Sequence, residues 1–185
     1  MIQGNGFLLR TVYESDVDAL YMARSDVSER GDYIPPRMGS QPRFRKEFQE
    51  TGFWTEDNGV LLVIDPDGRM LGQIAYFRPV FYSDGLEIGY QFFQQASRGK
   101  GIMTEVLKLF CSFLFSHRSL YRLQLMVHPG NEASRRVAEK AGFRKEGVLR
   151  GAFFHRGDHH DLEIYSLLRD EWTPVPPFTP LDPAG

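Results

Sequence analysis

The sequence predicts an α+β domain built around one mixed, mostly antiparallel sheet. Three observations lead there. The 185 residues suit one domain rather than two. The apolar patterning alternates between strand and helix periods in the order strand, helices, three strands, helix, strand, helix, two strands. Two turn sequences, Asp65-Pro66-Asp67-Gly68 and Arg156-Gly157-Asp158, join consecutive strand-like runs, so antiparallel hairpins dominate.

Residues 7–12 form the first predicted strand. Ser15 or Asp16 then offers an N-cap, and Val17, Leu20 and Tyr21 recur at helical spacing. Residues 30–59 are punctuated by Gly31, Pro35, Pro36, Gly39, Pro42 and Gly52, which leaves room only for a short helix over 44–50. The apolar, β-branched run 60–64 and the run 70–78 flank the Asp-Pro-Asp-Gly turn. Residues 86–93 give a fourth strand. Positions 102, 106, 109, 110, 113 and 114 are apolar at helical spacing, which predicts a helix over 102–117. A fifth strand covers 121–127. A helix over 131–141 ends at Gly142, a residue suited to the left-handed position after a helix. Strands at 143–154 and 162–168 close the domain, which spans 1–173. Five of the 11 prolines lie beyond Thr173, so 174–185 is expected to be an extended tail without its own core.

Hydrophobic residues make up 42% and charged residues 25%, which excludes a disordered or fibrous chain. The net charge of −2 gives no basic footprint for a nucleic-acid partner. No apolar run approaches the ~20 residues needed to span a bilayer. The start of the chain lacks a basic stretch before its short apolar Phe7-Leu8-Leu9. One cysteine, Cys111, cannot form an internal disulfide and sits among Leu109, Phe110, Phe113 and Leu114, as a buried apolar side chain would. The expectation is a cytoplasmic protein with no nucleic-acid or membrane partner, and a homodimer stays open.

The segment Arg98-Gly99-Lys100-Gly101-Ile102-Met103-Thr104 joins a strand to the long helix. Glycine allows close backbone approach and positive φ. The helix start presents unpaired N–H groups and the positive end of its dipole, a phosphate-binding arrangement. An ordinary tight turn would look the same. It is neither a Walker A loop nor a dinucleotide fingerprint, since no Gly-Lys-Ser/Thr ending is present and position 104 is Thr.

Phe7-Leu8-Leu9-Arg10-Thr11, Glu87-Ile88-Gly89-Tyr90, the 98–104 segment, Asn131-Glu132-Ala133-Ser134, Glu139-Lys140-Ala141-Gly142-Phe143 with Glu146-Gly147, and Gly157-Asp158-His159-His160-Asp161 occur in that order. With this order and spacing the sequence resembles the GNAT superfamily of acyl-CoA N-acyltransferases, in particular its RimJ/RimL-like branch, over residues 7–172. The resemblance implies a central sheet splayed between the fourth and fifth predicted strands, with a bulge in 86–93. It implies that the pantetheine arm of acetyl-CoA lies in the gap, against the strand end at Phe92 and Phe93. The pyrophosphate would sit on the amides of Arg98, Gly99, Lys100, Gly101, Ile102, Met103 and Thr104, with Asn131 and Ser134 as further contacts. The Gln or Arg often found three residues before the first glycine is Ala96 here.

Acyl transfer to an amine needs the neutral amine, whereas a lysine-type amine has a pKa of ~10.4 and an α-amine one of ~7.7–8.0. It therefore needs a base, donors for the developing oxyanion and a proton for the leaving thiolate. Glu87 matches the general-base glutamate of many relatives, although a strand glutamate facing solvent has the same sequence. Asp84 stands in reserve, and Asp161 and Glu163 are weaker candidates. Asn131 is also a natural N-cap. Ser134 is the candidate proton donor, because the tyrosine that many superfamily members place four residues later is Ala138 here. Phe153 replaces a RimL-like glutamate.

His155, His159 and His160 lack helical metal-pair spacing, so no metal is expected. The acceptor is expected among Tyr33, Trp54, Tyr82, Asp84 and Phe153. Aromatic walls with a few carboxylates suit a peptide N-terminus, an amino sugar or an antibiotic amine. The expected function is acetyl-CoA-dependent acetylation of a primary amine. The alternatives are an acyl-CoA sensor without turnover and a pure interaction domain. Release of free CoA in the presence of an amine separates enzyme from sensor.

Overall fold

The structure, a computed structural model, describes residues 1–29, 31–34, 39–80 and 84–178. Its strands are β1 (Ile2–Gly4), β2 (Phe7–Thr11), β3 (Asn58–Ile64), β4 (Met70–Phe77), β5 (Leu86–Phe92), β6 (Arg122–Val127), β7 (Arg144–His155) and β8 (Asp158–Leu168). Its α-helices are α1 (Val17–Ser25), α2 (Gln41–Thr51), α3 (Ile102–His117) and α4 (Glu132–Lys140). The strands form one sheet in the order β1-β2-β3-β4-β5-β6-β8-β7. Every neighbouring pair is antiparallel except β5 and β6.

The long apolar run of β3 has a simple cause. Leu61 and Val63 pack into a core shared with α3 and α4, whereas Leu62 and Ile64 pack into a second core with α1 and α2. A strand buried on both faces needs apolar residues at every position rather than at alternate ones. In the first core Val106, Leu107, Phe110 and Leu114 of α3 are fully buried against Ile74, Leu86 and Leu123. Full burial of one such side chain contributes ~1.5–3 kcal/mol. In the second, Phe53 meets Phe44 and Phe48 at centroid distances of 4.7 and 5.5 Å.

Local chemistry sets the element ends. Gly68 (φ +81°) closes the β3–β4 turn, and the Asp65 carboxylate accepts from the Asp67 and Arg69 amides. At the end of α4, Gly142 (φ +94°) donates to the Glu139 carbonyl and Phe143 to the Ala138 carbonyl, a Schellman closure. At the start of α1 the Asp16 side chain does not cap the helix. It binds Arg10 at 2.6 Å and accepts the Tyr13 amide.

The predicted order of elements is observed, with differences. β1 is additional, a short edge strand whose Ile2 pairs with Leu9. The helix expected over 44–50 begins at Gln41, because Pro42 stands in its first turn, where a proline interrupts no hydrogen bond. β8 begins at Asp158, directly after the turn, rather than at 162. The tail does not leave the domain at once. Trp172 donates to Ser112 Oγ at 3.0 Å and Phe178 meets Phe113 edge-on at 6.0 Å, so 172–178 lies along α3.

The sheet parts where the function was expected. β5 and β6 pair only at Leu86↔Leu123 and Glu87↔Gln124, after which they diverge. The expected bulge in β5 is not seen in its ladder with β4, whose register runs unshifted from Phe77↔Glu87 to Gly72↔Phe92. The separation therefore lies between β5 and β6 themselves.

Candidate active site

A cleft of about 680 Å³ opens at this parting. Tyr90, Gln91 and Phe92 of β5 form one wall, Asn131, Ser134 and Val137 the opposite one, and Arg98, Gly99, Gly101, Met103 and Thr104 close one end. Residues of the 26–34 segment, Tyr33 among them, line the remaining side.

The 98–104 segment follows from its two glycines. Residues 95–97 form one 3₁₀ turn, Gly99 (φ +77°) and Gly101 (φ +79°) take left-handed conformations, and α3 begins at Ile102. A Cβ at either glycine would meet open space, so the demand here is for positive φ rather than for room. The Ser97 and Arg98 amides are used within the turn, and the Thr104 amide donates to Gly101. The N–H groups of Gly99, Lys100, Gly101, Ile102 and Met103 donate to no described protein atom. A row of unpaired amides at the start of a 16-residue helix is a seat for a phosphorylated ligand. The diphosphate of CoA fits these donors. Arg98 does not point its charge there freely: it donates to the Glu29 carbonyl at 2.8 Å and ties the turn to the 26–34 segment.

Asn131 caps α4, its Oδ1 accepting the Ser134 amide at 3.1 Å. That bond fixes Ser134 in the first turn, facing the cleft. Ser134 Oγ lies 2.8 Å from the hydroxyl of Tyr90, which reaches across the gap from β5. Burial pushes the Tyr90 phenol up to about 12. Sequence reasoning did not single out Tyr90. Its position was visible in the Glu87-Ile88-Gly89-Tyr90 stretch, but its pairing with Ser134 joins residues 44 apart in sequence.

Glu87 sits at the vertex of the parting. Its carboxylate accepts Gln124 Nε2 at 3.0 Å, and burial raises its pKa while that bond pulls the other way. It is half-buried rather than a solvated strand residue. Being an odd-numbered β5 residue, it faces the side of the sheet opposite Tyr90. It does not line the cleft described above.

Two of the other candidate carboxylates are committed. Glu163 binds Lys145 Nζ at 2.5 Å and the Tyr165 hydroxyl at 3.0 Å, and the Lys145 hydrogen bond holds its pKa down. Asp161 accepts the Gly151 amide at 2.8 Å. Asp84 is exposed at the entry to β5.

The remaining expected residues divide. Phe92 lines the cleft, whereas Phe93 is buried in the second core with its amide on the Leu71 carbonyl. Lys100 is exposed, and Ile102 packs against the first core. Tyr33 lines the cleft and lies 4.8 Å from the His128 ring. Trp54 does not reach it: its ring stands edge-on to Tyr76 at 5.3 Å, in space that a side chain at Gly59 would occupy. Phe153 stacks on His155 at 5.6 Å, in the β7–β8 hairpin. Tyr82 lies outside the described residues.

That hairpin reaches back to the cleft side. His155 Nε2 meets the Asp32 carbonyl at 2.7 Å and Arg156 pairs with the Asp32 carboxylate at 2.8 Å. His160 lies 5.1 Å from His128, whose pKa is lowered by burial and by the neighbouring imidazoles. No three His, Cys, Asp or Glu side chains among the described residues are grouped to hold a metal ion. Cys111 is buried, and burial raises its thiol pKa far above the normal range. No helix among the described residues is long and apolar enough to cross a membrane.

Comparison with known proteins agrees with this geometry. Residues 7–144 match the model of the acetyltransferase (GNAT) domain family. The putative ribosomal N-acetyltransferase YdaF of Bacillus subtilis is 33% identical over 131 residues, which cover 71% of this chain and 68% of that protein. Among solved structures, the spermidine N-acetyltransferase of Vibrio cholerae in complex with CoA and spermine superposes with a TM-score of 0.78, at 16% identity, over 90% of this chain and 98% of the other. RimL, a ribosomal L7/L12 α-N-protein acetyltransferase in complex with CoA, gives 0.75 at 23% identity, over 89% and 95%.

Proposed function

The chain belongs to the GNAT acetyltransferase family, and on that premise we propose that it acetylates a primary amine held at the parting of β5 and β6. One observation carries this reading: the unpaired amides of residues 99–103 stand at one end of a cleft whose wall also presents Ser134. Acetyl-CoA supplies the activated acetyl thioester.

The chain's own residues supply the rest. Amides of the 98–104 segment hold the diphosphate, and the unpaired edge of β5 offers strand-like hydrogen bonds to the pantetheine arm. Glu87, at the vertex of the parting and outside the cleft lining, takes the proton of the incoming amine through water. Its raised pKa makes it a stronger base than an ordinary carboxylate. Ser134 donates to the departing sulfur. Glu163 and Asp161 stay with their structural partners.

The acceptor enters past Tyr33, whose aromatic face favours a cationic amine on a flat or apolar body, beside an Asp32 carboxylate held by Arg156. An N-terminal peptide amine and a polyamine are the first two classes to try, in view of the named activities of the relatives. A buried, unpaired thiol agrees with action in the cytoplasm. A panel of N-terminal peptides, spermidine, amino sugars and aminoglycosides, with free CoA as the readout, tests the proposal. Amine-dependent CoA release is expected. Saturable acetyl-CoA binding without release by any amine would instead identify a sensor.

A further inference from the structure

The Tyr90 ring packs against the first core, and its hydroxyl reaches the cleft wall. Tyr90 is carried by β5, which stays paired with β4 but leaves β6 after Glu87, and among the described residues its hydroxyl hydrogen-bonds only Ser134, at 2.8 Å to Oγ and 3.3 Å to the carbonyl oxygen. Each hydroxyl has one proton to give and two acceptor positions. Two arrangements satisfy the contact. In one, Tyr90 donates to Ser134 Oγ and the serine proton is free to point into the cleft. In the other, the serine proton is spent on Tyr90, which turns its own to the Ser134 carbonyl.

The first is favoured on two grounds. A phenol is a stronger acid than an alkyl alcohol and hence the better donor across the 2.8 Å contact, and the second arrangement adds only a bond of 3.3 Å, longer than O–H···O bonds usually are. The helix amide of Ser134 is already placed on Asn131, so the serine side chain is held from behind by its backbone and from one side by Tyr90. Since burial raises the Tyr90 pKa to about 12, the phenol keeps its proton throughout the pH range in which an amine reacts.

We propose that Tyr90 is a positioning residue: by donating to Ser134 Oγ it aims the serine proton at the sulfur of bound CoA. This rests on the reading of the cleft as the CoA site. A hydrogen bond to the ionised sulfur favours the thiolate, so it lowers the pKa at which the bound thiol titrates. Tyr90 itself need not touch CoA.

The test uses the full chain, CoA as the probe and no acceptor. Wild type, Tyr90→Phe and Ser134→Ala are each saturated with CoA. The thiolate ultraviolet absorbance is then followed against pH, with the same protein bound to desulfo-CoA as reference. In wild type the bound thiol should titrate about one unit lower than in either variant. The double variant should match Ser134→Ala alone, because Tyr90 acts only through Ser134. Desulfo-CoA should bind all four proteins within about threefold, which a general loosening of the cleft would not allow. Equal titration in wild type and Tyr90→Phe, with CoA bound to both, overturns the proposal and leaves the CoA site standing. No binding of CoA to wild type overturns the site and the proposal together.

Discussion

The two sides of the cleft are built by different means. The donor side is made of backbone: two glycines at positive φ, the first turn of α3 and the first turn of α4. Its geometry is set within a few residues of sequence. The side proposed for the acceptor is made of side chains from distant parts of the chain. Arg98 and the Gln95 amide hold Glu29, while His155 and Arg156 hold Asp32 across more than 120 positions of sequence. A common cofactor can be held by the first kind of structure in many proteins. A particular acceptor is selected by the second kind, where single substitutions change the shape.

That contrast is open to test. The largest effect is expected at Glu87, at the vertex where β5 and β6 part. With an amine that the wild type acetylates, Glu87→Gln should lower kcat by about 10²–10⁴ at neutral pH. The loss should shrink at high pH as more amine becomes neutral. Because the Glu87 pKa is raised, its basic form is lost as pH falls while ordinary carboxylates are still ionised. The acidic limb of the wild-type kcat/KM profile should therefore lie above that of an unperturbed glutamate and vanish in the variant. Near-native activity across pH would remove Glu87 from the chemistry. Next in size, Ser134→Ala should lower kcat by about 10²-fold, at the lower end of proton-transfer effects, with acetyl-CoA affinity almost unchanged. A loss of affinity alone would make Ser134 a binding group.

These two sites differ in how far the sequence disclosed them. The backbone of the proposed donor side was legible because glycine spacing, a strand-to-helix transition and an asparagine cap act locally. The resemblance quoted those same stretches. The same locality made α3 readable over its full extent, 102–117. What failed was non-local. Trp54 and Phe93 are aromatic residues near cleft-forming segments, yet Gly59 and Tyr76 draw one into the core and Leu62 and Ile64 the other. Their composition gave no sign of which way the ring would turn. Tyr90 was passed over for the complementary reason: its chemistry depends on a partner on another element. Pro42 was read as a break, although the same residue is compatible with a first helical turn. β1 has too few residues to show a period.

A smaller effect sharpens the view of the acceptor side as a set of tethers. Asp32→Ala removes the Arg156 pair but leaves the backbone carbonyl that His155 uses. An exposed pair of this kind is weak and screened by salt. The variant should raise the acceptor KM by a few-fold or less, less so at high salt, and leave the acetyl-CoA KM unchanged. A change in the acetyl-CoA KM instead would join the two sides into one unit.

The smallest effect lies away from both, on the β6–β7–β8 flank. Glu146 is held by Arg122 through two hydrogen bonds at 2.8 and 2.6 Å and by Ser166 at 2.5 Å, which lowers its pKa to about 2. A depressed carboxylate pKa stabilises the fold above the unfolded value near 4.5, and the contribution is lost as pH falls toward 2. Partial exposure of the pair limits its size. Glu146→Gln should lower Tm by a few degrees at pH 7 and flatten its fall between about pH 5 and 3, with activity kept. An unchanged acid profile would show the pair to be without net effect on stability.

The central claim is that the amides around Gly99 and Gly101 hold acetyl-CoA at the parted strands. Calorimetric titration of acetyl-CoA into wild type and Gly101→Val tests it most directly. At φ +79° a β-branched residue is strained by ~1–3 kcal/mol and must turn the amides out of their row. Wild type should bind one acetyl-CoA per chain, and Gly101→Val, with its fold verified by circular dichroism, should bind at least about tenfold more weakly. Equal affinities in the two folded proteins, or no binding to wild type, would contradict the account.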